Sequence, residues 1–266
     1  MLGKLIKYEI SATGRLFLPF YGALILFALI NKIFFSFKMP VPDFIAEITL
    51  SIYAIIIVAI VVLTFLVMIQ RFYKNLLTDE GYLMFTLPVQ SWQHVLSKLI
   101  VSILWILLSG IVTLFTIFLM VFNSQMIPQI YEFFIAFFRY VSPSDQTAFF
   151  VFLLKVGFTA LFSSICSILM IYTSIAVGQL FGKHRILASF GAFLGISFIM
   201  QSATSLFAVF FMRPIIERID HMEGTFIEFS NTLGTLFQFS NIINIVLSIL
   251  FFSLTSYILQ KKLNLE

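Results

Sequence analysis

The chain has 266 residues, of which 61% are hydrophobic and only 11% are charged, and its mean hydropathy is +1.07. Soluble domains carry about 25% charged and about 45–50% apolar residues, so a soluble core could not enclose this much apolar surface. The composition excludes a soluble globular protein and, with its long apolar runs, predicts an all-α polytopic membrane protein. The net charge of +4 therefore reports orientation in the membrane, and no nucleic-acid partner is predicted.

The first segment, residues 1–15, carries too many charges to cross a membrane. Its lysines lie on one helical face and its apolar residues on the other, with Glu9 among the apolar ones. This pattern predicts an N-terminal interfacial amphipathic helix in the headgroup region. A secretory signal would also place a basic start before an apolar run, but no convincing small-residue cleavage site follows, which favours a retained first span.

Six apolar runs follow, and each is long enough for a membrane-spanning helix, which takes about 20 residues. We predict spans at residues 16–36, 47–70, 97–122, 150–180, 186–212 and 240–260. They are expected to form a single transmembrane domain, 1–266. Two further segments are not simple loops: 126–140 is predicted to be an interfacial helix, and 213–240, between spans 5 and 6, is predicted to be partly re-entrant because its second half is apolar.

The basic residues predict the orientation of the spans. If both termini are cytoplasmic, ten of the sixteen lysines and arginines fall on the inner side of the membrane. The positive-inside rule therefore places both termini, and the loop between spans 2 and 3, in the cytoplasm.

No site for chemistry within this chain is predicted. The sequence has no P-loop (Gly-x-x-x-x-Gly-Lys-Ser/Thr) and no His-Glu-x-x-His motif, so no catalytic residue, cofactor or metal site is expected. The three histidines (His94, His184 and His221) are interpreted as solvated interfacial residues, and Cys166 as a small buried hydrophobe. Lys155 in the fourth span either snorkels to the headgroups or faces a transport pathway.

The densest polar stretch is the loop between spans 2 and 3, residues 71–98. Thr78, Asp79 and Glu80 are suited to cap a short helix. That helix would present four apolar side chains before Pro88 ends it: Tyr82, Leu83, Met84 and Phe85. Apolar side chains on a cytoplasmic loop favour a protein partner that covers them, while insertion into the lipid interface is the alternative.

This loop carries a family resemblance. The run Arg71-Phe-Tyr-Lys-Asn-Leu-Leu-Thr-Asp-Glu-Gly-Tyr-Leu-Met-Phe-Thr-Leu-Pro-Val resembles the first cytoplasmic loop of bacterial ABC-2-type transporter permeases, particularly those of Firmicutes, and the predicted layout of the chain is similar to theirs. The resemblance implies an ATP-binding cassette exporter in the bacterial cell membrane, built from two permease subunits (a homo- or heterodimer) and separate ATPase subunits that bind ATP and Mg. The cargo would be a peptide, lipid or drug.

The same resemblance implies that the loop docks on the ATPase as a coupling helix. The contact residues would be Thr78, Asp79, Glu80, Gly81, Tyr82, Leu83, Met84 and Phe85. It also suggests that the fifth span lies near a dimer interface, where Gly191 and Gly195 permit close helix approach; packing within one chain is equally compatible with this pair. Polar residues that could line a pathway are Gln201, Ser202, Thr204, Ser205, Asn241 and Asn244.

Two other classes of function compete with an exporter. A non-transporting membrane scaffold or assembly subunit would lack catalytic residues in the same way. An intramembrane serine hydrolase is disfavoured, because no span holds a histidine or carboxylate well inside it to act as a base.

Overall fold

The computed structural model describes residues 2–37, 43–77, 89–122, 126–181, 184–207, 209 and 226–261. This part of the chain contains seven long α-helices and no strand. They are α1 (Leu2–Phe37), α2 (Asp43–Leu77), α3 (Ser91–Val121), α4 (Met126–Tyr140), α5 (Pro143–Gly178), α6 (Arg185–Phe207) and α7 (Phe226–Lys261). All except α4 are long and apolar enough to cross a membrane, so the described residues hold six candidate spans, the number predicted, in an all-helical chain.

The helices extend beyond the spans predicted from hydropathy. Helix α5 has 36 residues, which at 1.5 Å per residue gives about 54 Å, against about 30 Å for the hydrocarbon core. It begins at Pro143 rather than 150, because Ser142 caps it by accepting a hydrogen bond from the Asp145 backbone N–H at 3.2 Å. Hydropathy identifies the lipid-contacting part of a helix, whereas backbone hydrogen bonding continues into the polar region.

The structure shows no boundary between the predicted interfacial helix, residues 1–15, and the first span. Helix α1 runs without a break from Leu2 into the first span, and Thr13 donates a hydrogen bond to the Glu9 carbonyl oxygen at 2.6 Å where the boundary was expected. The predicted amphipathy is present, since Lys4 and Lys7 are exposed. The opposite face packs on protein, with Ile6 and Ile10 against the core of the bundle, so this segment buries part of its apolar face against its own chain.

The segment between spans 5 and 6 also differs from its prediction where it is described. Residues 226–240 are the first turns of the continuous helix α7, although the sixth span was predicted to begin at 240. A re-entrant turn in that half of the segment is therefore wrong; residues 213–225 lie outside the described residues. The apolar second half of the segment suggested re-entry, but it belongs to a helix that is longer than a membrane span requires.

The chain packs as two compact units, residues 1–130 and 131–266. In the first unit, α1 packs against both α2 and α3, and α2 packs against α3. The core of this unit consists of buried residues from all three helices: Phe17, Tyr21, Leu24, Ala28, Tyr53, Ile60, Val67, Val101 and Trp105. Hydrogen bonds join the helices at the end far from the N-terminus, where Asn31 pairs with Thr49 and Tyr53 with Thr116.

In the second unit, α5 packs against α6 and α7. Thr173 of α5 is buried, and its hydroxyl lies 3.0 Å from that of Thr255 in α7 and 3.1 Å from the Phe251 carbonyl oxygen. At the end of α5, Gly178 lies so close to Ser189 of α6 that a β-carbon there would overlap both its side chain and its backbone. Glycine is therefore what lets these two helices meet. Cys166 is buried in α5, as predicted.

Candidate functional site

A buried ion cluster joins the three helices of the first unit. The Lys98 ammonium of α3 lies 2.6 Å from one carboxylate oxygen of Glu9 in α1, and Arg71 Nε of α2 lies 3.4 Å from the other. Only 3% of the Lys98 side chain and 8% of the Glu9 side chain are exposed. We call these three residues the Glu9 triad. It holds one negative and two positive charges, largely removed from solvent.

The triad lies at the ends of α2 and α3 that the predicted coupling loop connects. Arg71 stands in the last two turns of α2, which ends at Leu77, and Lys98 in the third turn of α3, which begins at Ser91. Glu9 comes from the N-terminal part of α1, so one carboxylate links the N-terminal helix to both ends of the loop. A buried charge pair of this kind is strongly favoured to stay together, because separating it leaves an uncompensated charge in a medium of low dielectric constant.

Below the triad, a seam of polar contacts joins α1 to α3. The Trp105 indole N–H donates to the Thr13 hydroxyl at 2.7 Å, and the Tyr21 and Ser109 hydroxyls lie 2.7 Å apart. The Trp105 ring stacks on Phe17, with 4.4 Å between ring centroids. Since Thr13 in turn donates to the Glu9 carbonyl, the indole is connected to the backbone that carries the triad carboxylate. The arrangement fixes the register of α1 against α3.

The structure corrects the interpretation of His94. The sequence predicted a solvated interfacial residue, but His94 is 1% exposed, one turn before Lys98 on the same face of α3. The prediction failed because the first turns of α3 pack against the N-terminal part of α1. That part, residues 1–15, was expected to lie in the headgroup region instead. His184 is exposed, as predicted, and His221 lies outside the described residues.

The eight residues of the predicted coupling contact, 78–85, lie outside the described residues, and the coupling helix stays a prediction. The structure does describe the helices on either side of them, which end at Leu77 and begin at Ser91.

The glycine pair in α6 has no packing role within the described residues. A β-carbon at Gly191 or Gly195 would meet no atom within 4 Å. Of the two interpretations left open by the sequence, close packing within one chain therefore finds no support in the described helices, and contact with a second subunit stays a prediction. The glycine that does bring two helices together is Gly178.

The predicted pathway residues fall on two helices that each pack against α5. Gln201, Thr204 and Ser205 are exposed and Ser202 is half-buried near the end of α6; Asn241 and Asn244 are half-buried in α7. The Asn244 amide lies 3.4 Å from the Ser240 hydroxyl, and the Thr204 hydroxyl donates to its own helix at the Met200 carbonyl oxygen. No contact between the two sets marks a pathway in this part of the structure. Lys155 lies against Gly234 of α7, where the missing side chain makes room for it.

Sequence reasoning missed the Glu9 triad, although two signals for it were present. Glu9 falls on the apolar face of an otherwise amphipathic segment, where a carboxylate is costly unless a cation neutralises it. Lys98 is a charged residue at the start of the long apolar run that was predicted to be the third span. The two residues are 89 positions apart, so only the packing of α1 against α3 shows that they are partners.

No group of three or more metal-binding side chains occurs among the residues that the structure describes. Comparison of the chain with protein-family models, with curated proteins and with solved structures gives no match. We therefore infer function from the residues and their arrangement.

Replacing Trp105 with phenylalanine should lower the stability of the first unit by about 0.6 kcal/mol, the average for hydrogen bonds between membrane helices, and by about 1.7 kcal/mol at most. The smaller ring can still stack on Phe17, but it loses the N–H group that binds Thr13. Thermal unfolding in detergent micelles measures the effect. Trp92 is the matched control, because it is partly exposed and its indole N–H binds only Gln90, two residues away. Equal effects of the two substitutions would contradict a specific role for the Thr13 bond.

Proposed function

We propose that this chain is the transmembrane permease subunit of an ATP-binding cassette exporter, in which a separate nucleotide-binding subunit hydrolyses ATP with Mg. The loop between α2 and α3 would receive the motion of that subunit through the segment 78–85. The sequence supports this proposal in two ways: the loop resembles that of ABC-2-type permeases, and the chain has no P-loop of its own. The six candidate spans are consistent with it.

The single observation that carries the proposal furthest is the Glu9 triad at the base of this loop. A displacement applied to the loop acts directly on α2 and α3, which it connects. Through the contacts of Glu9 with Arg71 and Lys98, the same displacement also acts on α1. Coupling between distant sites requires such packed or hydrogen-bonded connections between rigid elements. If the loop only anchored the chain in the lipid interface, a link from the loop to α1 would not be required.

The remaining features of the proposal follow from orientation and resemblance. In this arrangement both termini and the coupling loop face the cytoplasm of a bacterial cell, and two permease subunits assemble with two ATPases. The loop offers Glu80 for polar contact and Tyr82, Met84 and Phe85 for an apolar groove, the combination that protein interfaces favour. The cargo belongs to a broad class of peptides, lipids and drugs.

Co-purification with a Walker-A ATPase encoded in a neighbouring reading frame, the expected location of the partner gene, tests the proposal. Replacing Glu80 and Tyr82 together with alanine should abolish association with the ATPase and the stimulation of ATP hydrolysis by the permease. Unfolding temperature and yield should match those of the wild-type chain if the two side chains act in docking on the ATPase. Glu47, an exposed carboxylate at the other end of α2, is the matched control for loss of charge.

Two outcomes would contradict the proposal. If the double variant binds and stimulates the ATPase like the wild-type chain, the loop is not the coupling contact. If the wild-type pair associates but vesicles containing it show no ATP-dependent movement of any peptide, lipid or drug that stimulates its hydrolysis, the chain is a scaffold or assembly subunit instead.

A further inference from the structure

Helix α4 has the features of a surface-seeking helix. With 15 residues it is too short to span, since crossing a bilayer takes about 20 residues. At 100° per residue, Gln129, Glu132 and Arg139 fall on one narrow face. The opposite face is aromatic and exposed: 67% of Tyr131, 53% of Phe134 and 57% of Phe138 are accessible.

Side-chain hydrogen bonds and aromatic contacts fix the angle between α4 and α5. The side-chain amide of Gln146 donates to the carbonyl oxygens of Val141 at 2.8 Å and Phe138 at 3.2 Å, which satisfies the C-terminal end of α4. The Phe137 ring contacts the ring of Phe149, with 5.3 Å between centroids. Since Ser142 caps α5 in the same turn, α4 is held against the first turns of α5 rather than hanging from a loose linker.

We propose that α4 lies in the plane of the membrane surface, with its aromatic face inserted at the boundary between headgroups and acyl chains. Its partner is thus a lipid surface. The Phe137 ring of α4 also contacts the ring of Phe150, with 6.3 Å between centroids, and 50% of Phe150 is exposed on α5, a helix long and apolar enough to cross a membrane. A helix held beside the point where its neighbour enters the bilayer meets lipid along its length.

The charges on the polar face of α4 indicate which lipid headgroups are needed for its insertion. Surface helices that depend on anionic lipids carry several lysines or arginines. The polar face of α4 instead holds one carboxylate and one guanidinium, Glu132 and Arg139, so its formal charges cancel. Insertion is driven by the aromatic side chains, whose flat and amphipathic rings favour the interface. Neutral phosphatidylcholine is therefore enough, and neither anionic lipid nor salt changes the depth of α4.

Site-specific fluorescence in the full chain tests this inference independently of any ATPase. Cys166, the single cysteine, is replaced by serine, and a thiol-reactive NBD label is attached at Phe134→Cys on the aromatic face or at Ala136→Cys on the polar face. The proteins are placed in phosphatidylcholine nanodiscs. The label at 134 should emit at shorter wavelength and be quenched several-fold more by doxyl-labelled lipid than the label at 136. Iodide in the buffer should quench the label at 136 preferentially.

The alternatives give distinct outcomes. Equal quenching of both labels by iodide would show that the aromatic face lies in water. Protection of the label at 134 from both iodide and doxyl lipid would show that protein covers this face, with a second copy of the chain as the first candidate. A change in quenching when phosphatidylglycerol is added would refute the neutral-lipid specificity. Phe138→Cys, on the same face, repeats the measurement if Phe134→Cys does not fold.

Discussion

Replacing Glu9 with alanine is expected to lower the free energy of unfolding of the first unit by about 3–5 kcal/mol, the cost of breaking a buried ion pair by removing one partner. Lys98 would then remain buried, and Arg71 half-buried, without the carboxylate that neutralises both. Water cannot replace the lost partner cheaply, since only 3% of the Lys98 side chain is exposed. Thermal or denaturant unfolding of the purified chain in micelles measures the loss.

Two comparisons separate loss of charge pairing from simple loss of a side chain. The double variant Glu9→Ala with Lys98→Met removes both members of the closest pair and should recover part of the stability, because no deeply buried charge is left uncompensated. Glu47→Ala removes an exposed carboxylate from α2 and should change stability little. The interpretation would be refuted if the double variant were as unstable as the sum of the two single variants.

Replacing Gly178 with alanine is expected to cost about 1–3 kcal/mol, the range for overpacking a well-packed interior. Helix α6 approaches α5 so closely at this point that a β-carbon would overlap Ser189, including its backbone atoms. A side-chain rotation cannot relieve a clash with backbone, so one helix must move. Unfolding in micelles gives the stability change, and accessibility of a cysteine placed at Leu187 on α6 reports the movement.

Gly157 is the matched control, because it lies in the same helix and a β-carbon there would meet no atom within 4 Å. Its replacement by alanine should leave stability unchanged or raise it slightly, since alanine has the higher helix propensity. The same result is expected at Gly191 and Gly195 when the chain is monomeric. Equal destabilisation at Gly157 and Gly178 would mean that helix α5 tolerates no substitution of glycine, rather than that α6 lies in close contact at Gly178.

If the proposed coupling is correct, Glu9→Ala also has a functional consequence distinct from its effect on stability. The ATPase should still bind, because the segment 78–85 is intact, but hydrolysis should no longer drive movement of cargo efficiently. The Glu80 and Tyr82 double variant should lose binding itself. The two variants therefore assign recognition to the loop and transmission to its base.

The sequence by itself determined the membrane class, the number of spans and the burial of Cys166. Hydropathy depends on composition over about 20 residues, the length that a bilayer requires, and is insensitive to the neighbours of any one side chain. For the same reason it misjudged helix ends: α5 starts at a serine cap, where hydrogen bonding rather than lipid contact sets the boundary, and α7 is already helical from Phe226.

Only the tertiary structure decided which side chains are partners. The amphipathy of residues 1–15 is equally suited to a lipid surface or to a protein surface, and the packing of α1 on α3 selected the protein. That contact converts Glu9 from an anomaly on an apolar face into the centre of a charge cluster, and buries His94 beside it. Likewise, the spacing of glycines in a sequence indicates where two helices could approach each other. In the structure the close approach occurs at Gly178. Close contact depends on two surfaces, and the sequence pattern describes only one of them.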